Sequence, residues 1–222
     1  MDQVTEPGSV RRRGPTLDRA TTRVAIIDSA RALYLEHGVR NTTMEMVAQH
    51  AGIVRQSLYD MVPGREELVR LAIMGRCTEI IEHKVRPALT ESRSFSDGVV
   101  EVCALTIEFV RHDPELTNLF DATGKYKIAE LLAGPHPAMQ ELVASVFQDD
   151  FARARRNGEL RTDTDDDRIN EWIRGVVLMI LLRTDLRPDT EREMLRTFLV
   201  PALLHPRQWQ REYEARNQHL EA

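Results

Sequence analysis

Apolar residues recur every three or four positions along most of this chain and seldom alternate strictly with polar ones. That spacing belongs to amphipathic helices rather than strands. Val24, Ile27, Ala30, Leu33 and Tyr34 mark a first helix over 18–37, closed by Gly38, a residue suited to the left-handed position after a helix end. Thr43 can cap a short second helix that buries Met44, Val47, Ala48 and Ala51. Gly52 turns the chain into a third helix over 54–61, and Pro63-Gly64 separates it from a long fourth helix over 65–85. Further helices are predicted over 96–112, 114–121, 126–133, 137–156, 165–184 and 190–204, punctuated by prolines and glycines. The expectation is an all-α protein. It has a basic arm (1–17), a helix-turn-helix unit (18–70), a helical bundle (71–206) and a polar tail (207–222) predicted to fray, with Trp209 and Tyr213 able to dock it.

Composition agrees. Aromatic residues are only 5% of the 222, and Leu, Ala, Glu, Arg and Met are plentiful, which favours helix. The net charge of −5 is unevenly spread: residues 1–70 carry 10 arginines and 9 acids, so the relative excess of positive charge lies at the helix-turn-helix end. A local field matters more to a polyanion than the total. Arg11, Arg12 and Arg13 in the arm could follow DNA phosphates or simply be solvated. Cys77 and Cys103 lie in apolar surroundings without zinc or disulfide spacing, as reduced core cysteines do. The N-terminal arginines precede no apolar stretch, and the longest apolar run, Val176 to Leu182, is too short to span a bilayer. The expected location is cytoplasmic, without a membrane partner.

The chemistry-bearing segment runs from Thr42 to Leu68. A major groove admits one helix, whose first turns reach base edges. The third helix offers Arg55, Gln56, Ser57, Tyr59 and Asp60. Arg suits guanine, Gln adenine and Asp cytosine, while Ser57 and Tyr59 can donate to phosphates. Leu58 faces inward against Val47 and Ala51. Thr43 and Arg65 sit at helix starts, where an anion is favoured. An ordinary helical hairpin with a polar outer face is the alternative.

Residues 22–70 resemble the DNA-binding domain of the TetR-type (TetR/AcrR) bacterial regulators. The resemblance rests on Gly38, Thr42-Thr43, Val47-Ala48, Ala51-Gly52-Ile53, Leu58-Tyr59, Val62 and Arg65-Glu66-Glu67-Leu68. Weaker echoes are Gly158 to Arg161 and Pro201 to Leu204. Three departures stand out: Val54 replaces the usual hydroxyl cap before the third helix, Val62 a frequent Phe, and Arg65 a frequent Lys. The resemblance implies a homodimeric repressor on a palindromic double-stranded operator, released when a small apolar or amphipathic ligand binds the C-terminal domain. It also implies dimerisation through 137–156 and 165–184, or the latter with 190–204. Independently, Ile169, Ile173, Val176, Val177 and Ile180, with Trp172, Met179 and Leu181, cover most of one helix's circumference. Such a helix is buried on two sides, against its own core and a partner chain or entirely within a monomer.

Polar residues within apolar stretches are the ligand candidates: Cys103, Thr106, Glu108, Tyr126, Trp172 and Arg174, with Met74, Met139 and Met179 as adaptable lining. Glu79/His83 and Glu108/His112 are spaced to share helix faces, but solvated polar faces explain them more simply than a metal. The run Asp163, Asp165, Asp166 and Asp167 suits the start of the following helix. No phosphate loop, metalloprotease motif, nucleophile elbow or dinucleotide fingerprint occurs. No catalytic residue, cofactor or metal is therefore expected. A DNA-binding activator or architectural regulator without a ligand, and a helical enzyme or carrier, are the rival readings.

Overall fold

The computed structural model describes residues 18–88, 94–124, 134 and 136–218. Tyr126, the helix expected over 126–133 and the arginine arm lie outside the described residues. Ten helices account for the described fold: α1 (Arg19–His37), α2 (Met44–His50), α3 (Arg55–Met61), α4 (Arg65–Ile80), α5 (Phe95–Arg111), α6 (Pro114–Thr123), α7 (Pro137–Arg156), α8 (Asp166–Leu181), α9 (Pro188–Met194) and α10 (Pro206–Gln218). No strand occurs among the described residues, so the fold is all-α as expected. Two helices run on through wider π-type turns: α4 through Ile81–Val85 into Arg86–Ala88, and α9 through Leu195–Leu199 into Val200–Leu203.

The helix starts follow local chemistry. Thr43, Ser94, Asp113 and Asp165 each accept a backbone N–H from the first turn of α2, α5, α6 and α8, satisfying donors that a helix leaves open at its N-terminus. Pro137 and Pro188 open α7 and α9, where a missing N–H costs nothing. Asp165 is thus a cap, and its neighbour Asp166 pairs with Arg155, so the acidic run serves the α8 N-terminus.

One continuous apolar core runs from the N-terminal helices into the bundle. In α1 the buried face is Thr22, Ile26, Ser29, Ala30, Leu33 and Tyr34, while Val24 is 57% exposed. The periodicity allowed two neighbouring faces, and packing chose the one centred on Ile26. Farther along, Phe147 stacks on Phe151 at 5.5 Å and Phe95 meets Phe151 edge-on at 6.0 Å, the geometry aromatic quadrupoles favour. The turn at Gly158 and the end of α9 are joined: Arg161 donates its N–H to Leu203 O at 2.9 Å, and His205 donates to Glu159 O at 2.7 Å. The segment expected to fray is helix α10 instead. Trp209 stacks on Tyr213 at 5.3 Å, and Ser96 donates to Glu212 at 2.9 Å. No helix among the described residues is long and apolar enough to cross a membrane.

Candidate functional site

The α2–turn–α3 unit is built from the inside out. Leu58 and Val47 are fully buried and Ala48 nearly so; small residues at 48 and 51 let the two short helices approach closely. Gly52 takes φ +67° in the turn, a conformation costing a residue with a Cβ about 1–2 kcal/mol. Gly52 and Ile53 donate back to Gln49 and Ala48 at 3.1 and 3.0 Å, fixing where α3 begins. Val54 precedes α3 without a side-chain cap and is 68% exposed, so the first amides of α3 lack a side-chain acceptor.

With Leu58 anchored, Arg55, Gln56, Tyr59 and Asp60 face outward and Ser57 is half-buried. They are ordered in two i,i+4 pairs. The Arg55 guanidinium lies 5.5 Å from the Tyr59 ring centroid, within cation–π range. Gln56 Nε2 donates to Asp60 Oδ1 at 3.0 Å, which engages the acidic side chain. Thr43, at the start of α2, is exposed and accepts from Met46 N at 3.2 Å. Arg65 has a structural partner that its place at a helix start did not reveal. Its Nη2 donates to Val39 O, so the side chain holds the turn after α1 as well as standing at the α4 N-terminus.

A second feature lies in the bundle. A pocket of about 90 Å³ lies between α4, α5, α7 and α8, with Ile81, Val110, Leu142, Phe147 and Leu178 among its walls. Cys103, Thr106 and Arg174 line it, as do Cys77 and Met139. Thr106 donates to Val102 O at 2.8 Å, leaving Arg174 as the charged lining residue among those described. Burial pushes both thiols up to about 12, so they act as apolar wall rather than nucleophiles. Glu108 and Trp172, also expected here, are elsewhere. Glu108 is exposed, and Trp172 is 53% exposed on the far side of α8. Met179 is exposed as well, and Met74 is buried outside the cavity wall.

The α8 surface also corrects the expected interface. Ile169, Ile173 and Ile180 are at most 2% exposed and belong to the protomer's own core. Val176 and Val177 are half-buried, Val177 in the cavity wall. The outward apolar residues are Trp172, Met179 and Leu182, with Phe198 at 69% exposure on the α9 extension. The sequence did not say which face of α8 meets the chain's own core.

Between the two features stands an ionic cluster that sequence reasoning missed. Arg31 of α1 donates to Glu115 of α6 at 2.5 Å and to Glu79 of α4 at 2.7 Å. Arg76 of α4 holds Asp113 at 2.7 Å and Glu79 at 2.8 Å, and Lys84 stands 3.7 Å from Asp113. The Asp113 side chain is fully buried and also caps α6 through Leu116 N at 3.0 Å. Burial alone would raise its carboxyl, yet Arg76, Leu116 N–H and Lys84 together hold it below the ordinary range. Hydrogen bonds from Arg31, then Arg76, bring Glu79 down to about 2. The cluster ties α1, which packs on α2, to the bundle that holds the pocket. It also commits Glu79 to arginines, so the Glu79/His83 pair has no carboxylate to spare.

Comparison with known proteins adds an independent line. Residues 26–72 match the family of bacterial regulatory proteins named for tetR. The uncharacterized HTH-type transcriptional regulator YezE of Bacillus subtilis (strain 168) is 23% identical, over 75% of this chain and 88% of YezE. Among solved structures, the R. erythropolis transcriptional repressor QsdR, of the TetR family, superimposes with a TM-score of 0.63 at 19% identity, over 83% of this chain and 96% of QsdR. RolR, solved with resorcinol, gives 0.56 at 16% identity over 83% and 88%. These two likenesses establish a shared fold.

Proposed function

We propose that the chain is a DNA-binding regulator of the tetR type, on the family match over residues 26–72 and the likeness to YezE, and that it is a repressor that binds a palindromic operator as a homodimer and is released by a small apolar or amphipathic ligand. The observation that carries the reading is α3 itself. Its inner face is anchored by fully buried Leu58, and its outer face presents Arg55, Gln56, Tyr59 and Asp60 already paired side chain to side chain. Ordered readers lose less entropy on binding than free ones. Thr43, Ser57, Tyr59 and Arg65 serve phosphates in this reading, and Arg55, Gln56 and Asp60 serve base edges. Two copies joined through the outward apolar residues of α8 and the α9 extension would present two readers to half-sites one helical turn, or a multiple, apart.

Release requires a ligand with unequal affinity for the two states. The cavity borders α4 at Cys77 and Ile81, next to the ionic cluster that holds α1. A ligand that widens the cavity would therefore move the helix on which the reader unit rests. The repressor role has a parallel in QsdR, and a small bound molecule in RolR. The test is operator binding by Tyr59→Ala and Arg65→Ala, followed by fluorescence anisotropy with chain folding checked by circular dichroism. Both variants are expected to bind at least about tenfold more weakly while remaining folded; unchanged binding by both would remove this surface from DNA recognition.

A further inference from the structure

A cleft of about 480 Å³ lies where the reader unit meets the bundle, and it shares no lining residue with the apolar pocket. The turn after α1 contributes Val39 and Arg40, and the first half of α4 contributes Arg65, Val69 and Ile73. The end of α6 and His136, just before α7, close the far side. The volume lies within the roughly 300–1,000 Å³ of small-molecule sites. An occupant would touch the reader unit and the bundle at once.

The charges in this cleft do not balance. Arg40 is exposed and has no carboxylate partner among the described residues. Arg65 donates to Val39 O, a neutral acceptor, so its charge is also uncompensated. That carbonyl belongs to the peptide joining Val39 to Arg40, which brings the Arg65 guanidinium beside the backbone that carries Arg40. Arg70 is already held by Glu67 at 2.7 Å. Glu66 is the one acid among the lining residues, and it is itself engaged. Two uncompensated guanidiniums thus outweigh one carboxylate, a local field that favours an anion. The wall beside them is apolar: Val39 and Val69 are each 7% exposed and Ile73 is fully buried.

This pairing selects a ligand class. A guanidinium fork matches the oxygens of a carboxylate or a phosphate, and an apolar wall gains when hydrocarbon replaces water on it. We propose that the cleft binds an amphipathic oxyanion. Its carboxylate or phosphate head is held by Arg40 and Arg65, and its hydrocarbon body lies against Val39, Val69 and Ile73. The site goes beyond the ligand-release reading above, because it lies outside the apolar pocket on which that reading draws.

Isothermal calorimetry on the full chain, without DNA, tests this with octanoate and octyl phosphate as probes. The companions are 1-octanol, which lacks the charge, and inorganic phosphate, which lacks the hydrocarbon. At least one probe is expected to bind, with both companions at least about tenfold weaker, the worth of one charge-assisted hydrogen bond. The tighter probe identifies the head group. Arg40→Gln, with folding checked by circular dichroism, is expected to weaken that probe at least about tenfold. The wild-type comparison stands even if the variant fails to fold. Binding of neither probe, or equally tight binding of 1-octanol or inorganic phosphate, overturns the proposal. Probe binding that a folded Arg40→Gln leaves intact places the probe elsewhere and overturns it too. Operator binding weakened by Arg40→Gln, in a chain that binds neither probe, makes Arg40 a contact to DNA phosphate and rejects the cleft as a ligand site. With no DNA present, binding by the stated pattern supports the site whether or not the chain is a repressor.

Discussion

Replacing Asp113 with alanine removes the centre of the ionic cluster, and the structure sets the size of the loss. The carboxylate is fully buried, accepts Arg76 at 2.7 Å and caps α6 through Leu116 N at 3.0 Å. The cap alone is worth about 1 kcal/mol. Removing one partner of a buried ion pair costs about 3–5 kcal/mol when the other charge is stranded. Arg76 is not wholly stranded, because Glu79 remains at 2.8 Å and Glu115 at 3.4 Å, and its side chain keeps 22% exposure. The pair term therefore falls to roughly 2 kcal/mol and the total to roughly 3 kcal/mol. In a chain of this size that lowers Tm by about 6–12 °C. Asp113→Asn keeps a capping acceptor and is expected to lose about 1 kcal/mol less. Urea and thermal unfolding of wild type and both variants, at one protein concentration, supply the numbers. An alanine variant within about 0.5 kcal/mol of wild type would refute the claim that Asp113 fastens α6 to α4.

Acid should unfasten the same cluster. Glu79 and Asp113 titrate below their unfolded values, so their contribution is complete above the unfolded carboxylate range of about 4 and is lost as pH falls through the folded values. Stability followed by urea midpoints should be level from pH 7 to about 5 and decline from about 4.5 toward 2; a decline centred near neutrality would assign the pH dependence to other groups. Val54→Ser supplies the cap that α3 lacks and should stabilise the chain by about 0.5–1 kcal/mol in the same unfolding assay, whereas no gain would mean the α3 amides are already satisfied. Phe198→Asp places a charge on the outward apolar face. Sedimentation velocity should show dimer dissociation at micromolar protein, and an undisturbed dimer would move the interface away from the α9 extension.

Local chemistry was legible in the sequence, and distant pairing was not. Pro137 and the Arg-rich end of α7 fixed that helix to the residue, because capping and proline rules act within one turn. The reader unit was legible for the same reason: Thr43, Gly52 and Leu58 each do their work through neighbours a few positions away. Val24 misled because a helical period fits two adjacent faces, and only packing distinguishes Ile26 from it. Trp172 lies exposed and Ile173 buried, the reverse of the expectation, because an all-round apolar helix does not reveal which side meets its own core. Arg31 and Glu115 are 84 residues apart, and Ser96 and Glu212 are 116 apart; no spacing rule links such positions. Helix α10 is tied to the start of α5 by that second pair, and the Trp209–Tyr213 stack lies within α10 itself, so composition alone made it look frayed.

The central claim is that the outer face of α3 reads DNA from two copies of this chain. Its most direct test is selection of genomic fragments by the purified protein at two salt concentrations, with Tyr59→Ala alongside. The account predicts a shared palindrome enriched by wild type alone, with weaker recovery at the higher salt as phosphate contacts are screened. Fragments enriched equally by Tyr59→Ala, or carrying no common sequence, would contradict it.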